Sequence, residues 1–483
     1  MRLSPAFAAV PLVFCAGMAL AEATDAGAAD LASLLKTYLG AADGVVRVAV
    51  EGDAYGVTLD FAPLIAAIPD AGIEASISPV VFQLTDNGDG TWAMAQDQAF
   101  DIAVKVPGQL EMAIRLGKWA GTGTFDTGLQ AFATSSTQIT DIAVIETVTG
   151  AVMGETKVTY NVASASYESS AVAAATGGVD VSATYALTGL TENVTVPGMA
   201  AGSAPMDLTL TAESYTALSK VSGLRPDAVY KLIAFFVANP SAAAIAAKQD
   251  GLKTILRGGM PLFDHLITAG TITAISVGSP MGAFGLDEAG VTVEANGLVA
   301  DGMVREAFTL SGLTMPADLV PEWATQLVPS SLSLDFKLSR FNLAAPVALL
   351  LDTVDFVTGP ADPAAFEGQL MLALMPEGVV DITLAPGGVV GPIYELGYEG
   401  ALSAGMAAMP TGAAKVTLKG MTALKAALAT APDEVGMQAA PMLAMAEGMA
   451  KPGDNGALVW ALEITPEGGM LVNGVDVMAM GAQ

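Results

Sequence analysis

The stretch Phe100-Asp101-Ile102-Ala103-Val104-Lys105-Val106-Pro107-Gly108-Gln109-Leu110-Glu111-Met112-Ala113-Ile114-Arg115-Leu116 decides the fold class. Phe100, Ile102, Val104 and Val106 alternate with Asp101, Ala103 and Lys105, the period of two that puts one set of side chains on one face of a strand. Pro107-Gly108 turns the chain, and Leu110, Met112, Ile114 and Leu116 resume the alternation, giving an antiparallel hairpin with one apolar face. The pattern recurs at Met206-Leu208-Leu210, Leu332-Leu334-Phe336-Leu338 and Leu458-Trp460-Leu462-Ile464. Turn residues separate the runs at 87–90, 376–378, 386–388 and 466–468.

Helical signals are fewer. Leu31, Leu34, Leu35 and Tyr38 share one face of a helix over 30–39. The clearest helical region spans about 225–269. Pro226 and Asp227 suit its first turn, Val229, Leu232, Ile233 and Phe236 form a stripe, and Asn239-Pro240 breaks it. A second helix covers 241–257, and another turn holds Leu262, Phe263, Leu266 and Ile267. Shorter helices are expected at 345–357 and 421–449. A divergent repeat of strand, Gly-Leu corner, Pro-bearing loop and alternating strand begins at Tyr185, Phe308 and Tyr398, with a fourth copy near Val57–Ile65. The expected fold is therefore α+β and β-dominated: long antiparallel curved sheets built from divergent strand repeats, with helices on an apolar face. The expected organisation is a signal peptide at 1–21, a β-rich unit at 22–223, a helical block at 224–269 and a second β-rich unit with short helices at 270–483.

The chain has 483 residues, 52% apolar and 14% charged, with 20 Lys+Arg against 49 Asp+Glu, a net charge of −29. Too few cations, too scattered, argue against nucleic acid and against electrostatic docking on anionic lipid heads. Disorder is disfavoured by the apolar content. Arg2, the apolar run Ala6–Leu20 and the Ala19-Leu20-Ala21 cleavage site read as an export signal removed after Ala21, which places the protein in the periplasm or outside the cell. Phe14 before Cys15 disfavours lipidation. Cleavage removes Cys15, the one cysteine, and with it any disulfide. No later segment reads as a membrane span, since Lys231, Asn239 and Pro240 interrupt 228–247 and Asp352 and Asp355 interrupt 341–357. An integral β-barrel is disfavoured by the helical region, the few aromatics and the Met-Gly-Ala-Gln end.

The chemistry-bearing inventory is thin. His265 is the one histidine, and it reads as a solvated helix residue. One His without Cys builds no usual zinc or iron–sulfur site. The run at 274–278 imitates a nucleophile elbow, but no His follows it. Ser33-Leu34-Leu35-Lys36 matches S-x-x-K without its supporting elements, and an amphipathic helix explains it. Asp86-Asn87-Gly88-Asp89-Gly90 fits a hairpin turn better than a Ca²⁺ loop. Gly121-Thr122-Gly123 is no dinucleotide fingerprint. Carboxylate pairs for hydrolysis are spatial and stay open. Ten of the 23 Met follow residue 400. Met442, Met445 and Met449 share a helical face; they suit core packing first, an adaptable apolar ligand surface second and Cu(I) third.

The C-terminal run Gly456-Ala457-Leu458-Val459-Trp460, Ile464-Thr465-Pro466-Glu467-Gly468 and Leu471-Val472-Asn473-Gly474-Val475-Asp476 resembles a family of exported Gram-negative proteins of uncharacterised function, the domain-of-unknown-function family twenty-one twenty-five. The repeated strand units and the length are similar too. The resemblance implies no catalytic residues. More distantly the architecture resembles AsmA-like envelope proteins that handle lipid, whose curved sheets form apolar grooves. The function expected from all this is a non-enzymatic exported protein of the cell envelope. It would bind an apolar ligand such as lipid in a sheet-lined groove, with Met442, Met445 and Met449 as candidate ligand surface and with no cofactor, no metal and no nucleic acid. The alternatives are a structural envelope protein without small ligand and a hydrolase using carboxylates alone.

Overall fold

A computed structural model describes residues 22–66, 72, 74–150, 154–198, 204–280, 282–405 and 409–477. Residues 1–21, read above as an export signal, lie outside them. The protein is 54% strand and 25% helix, organised on one antiparallel sheet of 21 strands that does not close.

The short first strands β1 (Val46–Glu51), β2 (Ala54–Leu59), β3 (Glu74–Ile77) and β4 (Val80–Asp86) lead into the long ones. These are β5 (Thr91–Val106), β6 (Leu110–Asp126), β7 (Ala131–Gly150), β8 (Gly154–Ala173), β9 (Val179–Val196) and β10 (Met206–Leu224). The sheet continues through β11 (His265–Ser279), β12 (Gly282–Asn296), β13 (Gly302–Ser311), β14 (Ser331–Phe341), β15 (Val379–Val390), β16 (Glu395–Gly405) and β17 (Thr411–Lys419). It ends with β18 (Lys451–Pro452), β19 (Leu458–Ile464), β20 (Met470–Val472) and β21 (Val475–Asp476). Pairing runs β1–β2–β4–β5, then strand by strand to β17, then β19–β20–β21. β3 shares an edge of β5 with β4, and β18 pairs with β19. The hairpin read at Phe100–Leu116 is β5–β6, with Val106 opposite Leu110.

The helices are α1 (Asp25–Leu39), α2 (Ala62–Ala66), α3 (Pro226–Ala238), α4 (Ala242–Ala247), α5 (Gln249–Gly259), α6 (Ala344–Thr353), α7 (Pro363–Leu374), α8 (Met421–Leu428) and α9 (Asp433–Met449). The helical block does not interrupt the sheet: β10 and β11, on either side of it, pair directly from Thr209–Gly278 to Ser222–His265. It also ends earlier than the sequence suggests. Leu266 and Ile267, expected in a helical turn, belong to β11, because their alternation with His265 and Thr268 matches the pleat opposite Val221 and Lys220. Between α8 and α9 the chain breaks at Thr430–Pro432, and α7 was not anticipated although Asp362 caps it and Pro363 opens it.

Helices gather at the strand ends. α1 packs on α3, α3 on α5, α5 on α6 and α6 on α7; at the other end the 3₁₀ turn Glu322–Leu327 packs on α8, and α8 on α9. Tyr230 on α3 stacks edge-on against Tyr38 and donates to the Gln130 carbonyl at 2.9 Å, and burial pushes its phenol up to about 12. Arg257 donates to the Leu351 carbonyl, and Lys253 to that of Val354, so α5 places two cations on the C-terminal end of α6, where the dipole favours them.

The strands carry a shared irregularity. Between β5 and β6 the register slips, with Phe100 opposite Leu116 but Gln98 opposite Trp119. β6 therefore holds one residue more than β5 there, and β7 to β12 carry the same extra residue in the same row. The apolar residues flanking it are three apart, not two: Ile139 and Ile142, Val162 and Ala165, Leu187 and Leu190, Ala212 and Tyr215. Asp141, Gly189 and Ala274 in this row have φ of 55°, 63° and 49°, and this left-handed step returns the same face to the same side after the odd spacing. Ala274 holds that conformation against Cβ sterics. Ala274→Gly is expected to stabilise the protein by about 0.5–1 kcal/mol. Gly189→Ala, whose new Cβ would lie 3.0 Å from that of Ala163, is expected to destabilise by about 1–2 kcal/mol. Paired denaturant titrations check both signs.

Candidate functional site

The face that includes Phe100 and Leu116 carries an apolar row across most of the sheet. One row of directly opposed residues shows this. Starting on β10, Tyr215 faces Ile272, Ile272 faces Ala289, Ala289 faces Leu310 and Leu310 faces Leu332. The row runs on through Leu187, Ala165, Ile139 and Trp119 in one direction. In the other it runs through Val389, Leu396, Leu418 and Leu458. Opposed residues in a ladder project from the same face, so thirteen strands contribute without a polar interruption beyond the Tyr215 hydroxyl. At about 4.8 Å per strand the row is about 58 Å long. A second row, Ala217, Gly270, Val291, Phe308 and Leu334, lies beside it. Gly270 leaves room for the Tyr215 ring, which lies against it.

The ends of this face are covered. Ala28, Leu31 and Leu35 of α1 pack with Val57, Leu59, Phe82, Leu84 and Phe125. Met421 of α8 and Leu443 and Met449 of α9 pack with Leu418 and Trp460, and Trp460 Nε1 donates to the Ala446 carbonyl at 2.8 Å. The middle is open. Val291, Phe308 and Leu310 keep 39%, 37% and 36% of their surface exposed, and with Tyr215, Ile272, Leu332 and Leu334 they line a hollow of about 450 Å³. The apolar alternation is thus not consumed by self-packing.

The sequence-predicted residues fall elsewhere. Met442 and Met445 project from α9 with 67% and 62% of their surface exposed, while Met449 turns to the core beside Trp460. None of the three lines the hollow. The residues that do were missed as a site because each strand, read alone, looks like ordinary sheet; only the register brings them into one row.

His265 is on β11, not on a helix. From the opposite face of the sheet its Nε2 lies 3.0 Å from Glu294 Oε1. Arg305 donates to Glu294 at 3.1 Å and to both carboxylate oxygens of Asp335 at 2.9 and 2.8 Å. The hydrogen bond from His265, then those from Arg305, hold the Glu294 carboxyl below its usual range, and Arg305 does the same to Asp335. Depressed carboxyls stabilise the fold above their ordinary range, and this is lost as pH falls through the lowered values. Arg305→Ala is expected to cost about 1–2 kcal/mol at pH 7 and to flatten the loss of stability below about pH 4; denaturant titrations at pH 7, 4 and 3 check it. Asp86–Gly90 forms the β4–β5 turn, with Asp86 accepting from Gly88 N and Asp89 from Thr91. Among the described residues no Asp or Glu is buried. Among the same residues no three potential metal ligands converge and no helix is long and apolar enough to cross a membrane.

No protein-family model, no curated protein and no solved structure matches the chain.

Proposed function

We propose that this protein binds acyl lipid along the apolar face, as an exported, non-enzymatic component of the cell envelope akin to the uncharacterised exported family its C-terminal run resembles. The observation that carries the reading is the thirteen-strand row from Trp119 to Leu458 with its uncovered middle at Phe308 and Leu310. A bilayer core of about 30 Å holds two leaflets of chains, so the part of the row that is not packed under α8 and α9, from Trp119 to Val389 and about 43 Å long, accommodates two to three acyl chains laid across the strands. Each buried CH₂ contributes about 0.8 kcal/mol. A purely structural role would leave the exposed Val291, Phe308 and Leu310 unexplained, since large open apolar faces are rare on proteins without a partner. Organic extraction of the purified protein followed by lipid mass spectrometry is expected to recover acyl lipid in at least equimolar amount. Recovery no greater than from a control periplasmic protein overturns the reading.

A further inference from the structure

The charges of the sheet are sorted by face. Lysine and arginine of the paired strands project from the face opposite the apolar one. There Lys105 pairs with Glu111, Lys118 with Asp97, Lys415 with Glu399 and Lys419 with Glu395. Arg305 is bound on that face by Glu294 and Asp335. The register explains the sorting: Lys105 lies between Val104 and Val106, and Lys415 between Ala414 and Val416, so the pleat turns each cation away from the apolar row.

The apolar face is not without charge. Away from the strand ends and the irregular row, it carries Glu146, Glu192 and Glu306. Glu146 is opposite Met112 and Val158, Glu192 opposite Tyr160 and Leu210, and Glu306 opposite Val293 and Phe336. Among the described residues none of these three carboxylates has a basic partner in ion-pair range. An acyl chain laid over Val293, Phe308 and Phe336 strips water from Glu306. A carboxylate losing water needs compensation; the Tyr160 hydroxyl hydrogen-bonds Glu192, but among the described residues no positive charge of the face pairs with it or with Glu306.

We propose that the lipid taken by this face carries a cationic, amine-bearing head group, and that Glu192 and Glu306 pair with it while the acyl chains follow the apolar rows. This rests on the acyl-binding reading above and adds the sign of the head group. An anionic head would meet only carboxylates and would be disfavoured twice, by repulsion and by the desolvation it forces on them.

The test titrates the full chain with three twelve-carbon probes below their micelle concentrations: dodecyltrimethylammonium, dodecyl maltoside and dodecyl phosphate. Binding is read by calorimetry. The ammonium probe is expected to bind about tenfold more tightly than the phosphate, with the maltoside between. The preference is expected to collapse in Glu192→Gln/Glu306→Gln and to persist in Glu155→Gln/Glu168→Gln, which removes two acids from the opposite face and controls for the overall negative charge. Circular dichroism confirms that both variants fold. Equal binding of the three probes, tighter binding of the phosphate, or a preference surviving in Glu192→Gln/Glu306→Gln overturns the proposal and leaves acyl binding intact. No binding of any probe overturns both.

Discussion

Leu310→Asp is expected to lower acyl-lipid occupancy about 100-fold while leaving the fold in place. Leu310 lies near the middle of the long row, with Ala289 on one side and Leu332 on the other. A carboxylate there forces a chain crossing the row to lift off about four CH₂ groups, each contributing about 0.8 kcal/mol, so about 3 kcal/mol of binding is lost. The native state tolerates the change because the side chain is 36% exposed and makes no part of either buried cluster; the residual cost is the poor strand preference of Asp, about 1 kcal/mol. Thr309→Asp supplies the control, one residue along the same strand but on the other face, opposite Gly290 and Ser333. Mass spectrometry of extracts from the two variants reads the difference. Full lipid content in Leu310→Asp, or equal loss in Thr309→Asp, would show that the apolar row is not where chains lie.

Much of this architecture is legible in the residues. The alternation at Phe100–Val106 and Leu110–Leu116 dictates a hairpin with one apolar face, and Asn239-Pro240 ends α3 where it should. What escapes is whatever depends on neighbouring strands. The three-residue spacing of Ile139 and Ile142, taken alone, looks like a loss of phase. It keeps one face only because β6 to β12 share the same extra residue and left-handed residues absorb it. His265 looked helical since Leu262, Phe263, Leu266 and Ile267 fit a 3.6 period, and strand pairing with Ser222 and Asn296 won over that weak local pattern. Met449 looked equivalent to Met442 on a helical wheel. At the last turn of α9 its carbonyl accepts from Asn473 Nδ2 at 2.7 Å and its side chain joins the core beside Trp460. Periodicity gives the face of a helix; which face is covered follows from the sheet beneath it.

The same confinement of the core makes a second substitution costly. Leu84 is fully buried on β4, opposite Tyr55 on β2 and Met94 on β5, and belongs to the cluster that fastens α1 to the sheet through Leu31 and Leu35. Leu84→Ala removes three carbons from a site whose neighbours are held by strand pairing on both sides, so collapse into the space is limited and the expected cost is about 3–5 kcal/mol. The loss falls locally: the other buried cluster, around Trp460 and Met421, shares no residue with this one, and a sheet built from nearest-neighbour strands transmits little between them. Limited proteolysis is therefore expected to cut first within α1 and β1–β4, while Trp460 remains protected by α9. Val81→Ala, on the same strand but 44% exposed on the opposite face, is expected to change stability by under about 0.5 kcal/mol. If Leu84→Ala instead unfolds both clusters in one transition, the sheet is a single cooperative unit, and the apolar trough would have to open and close as a whole.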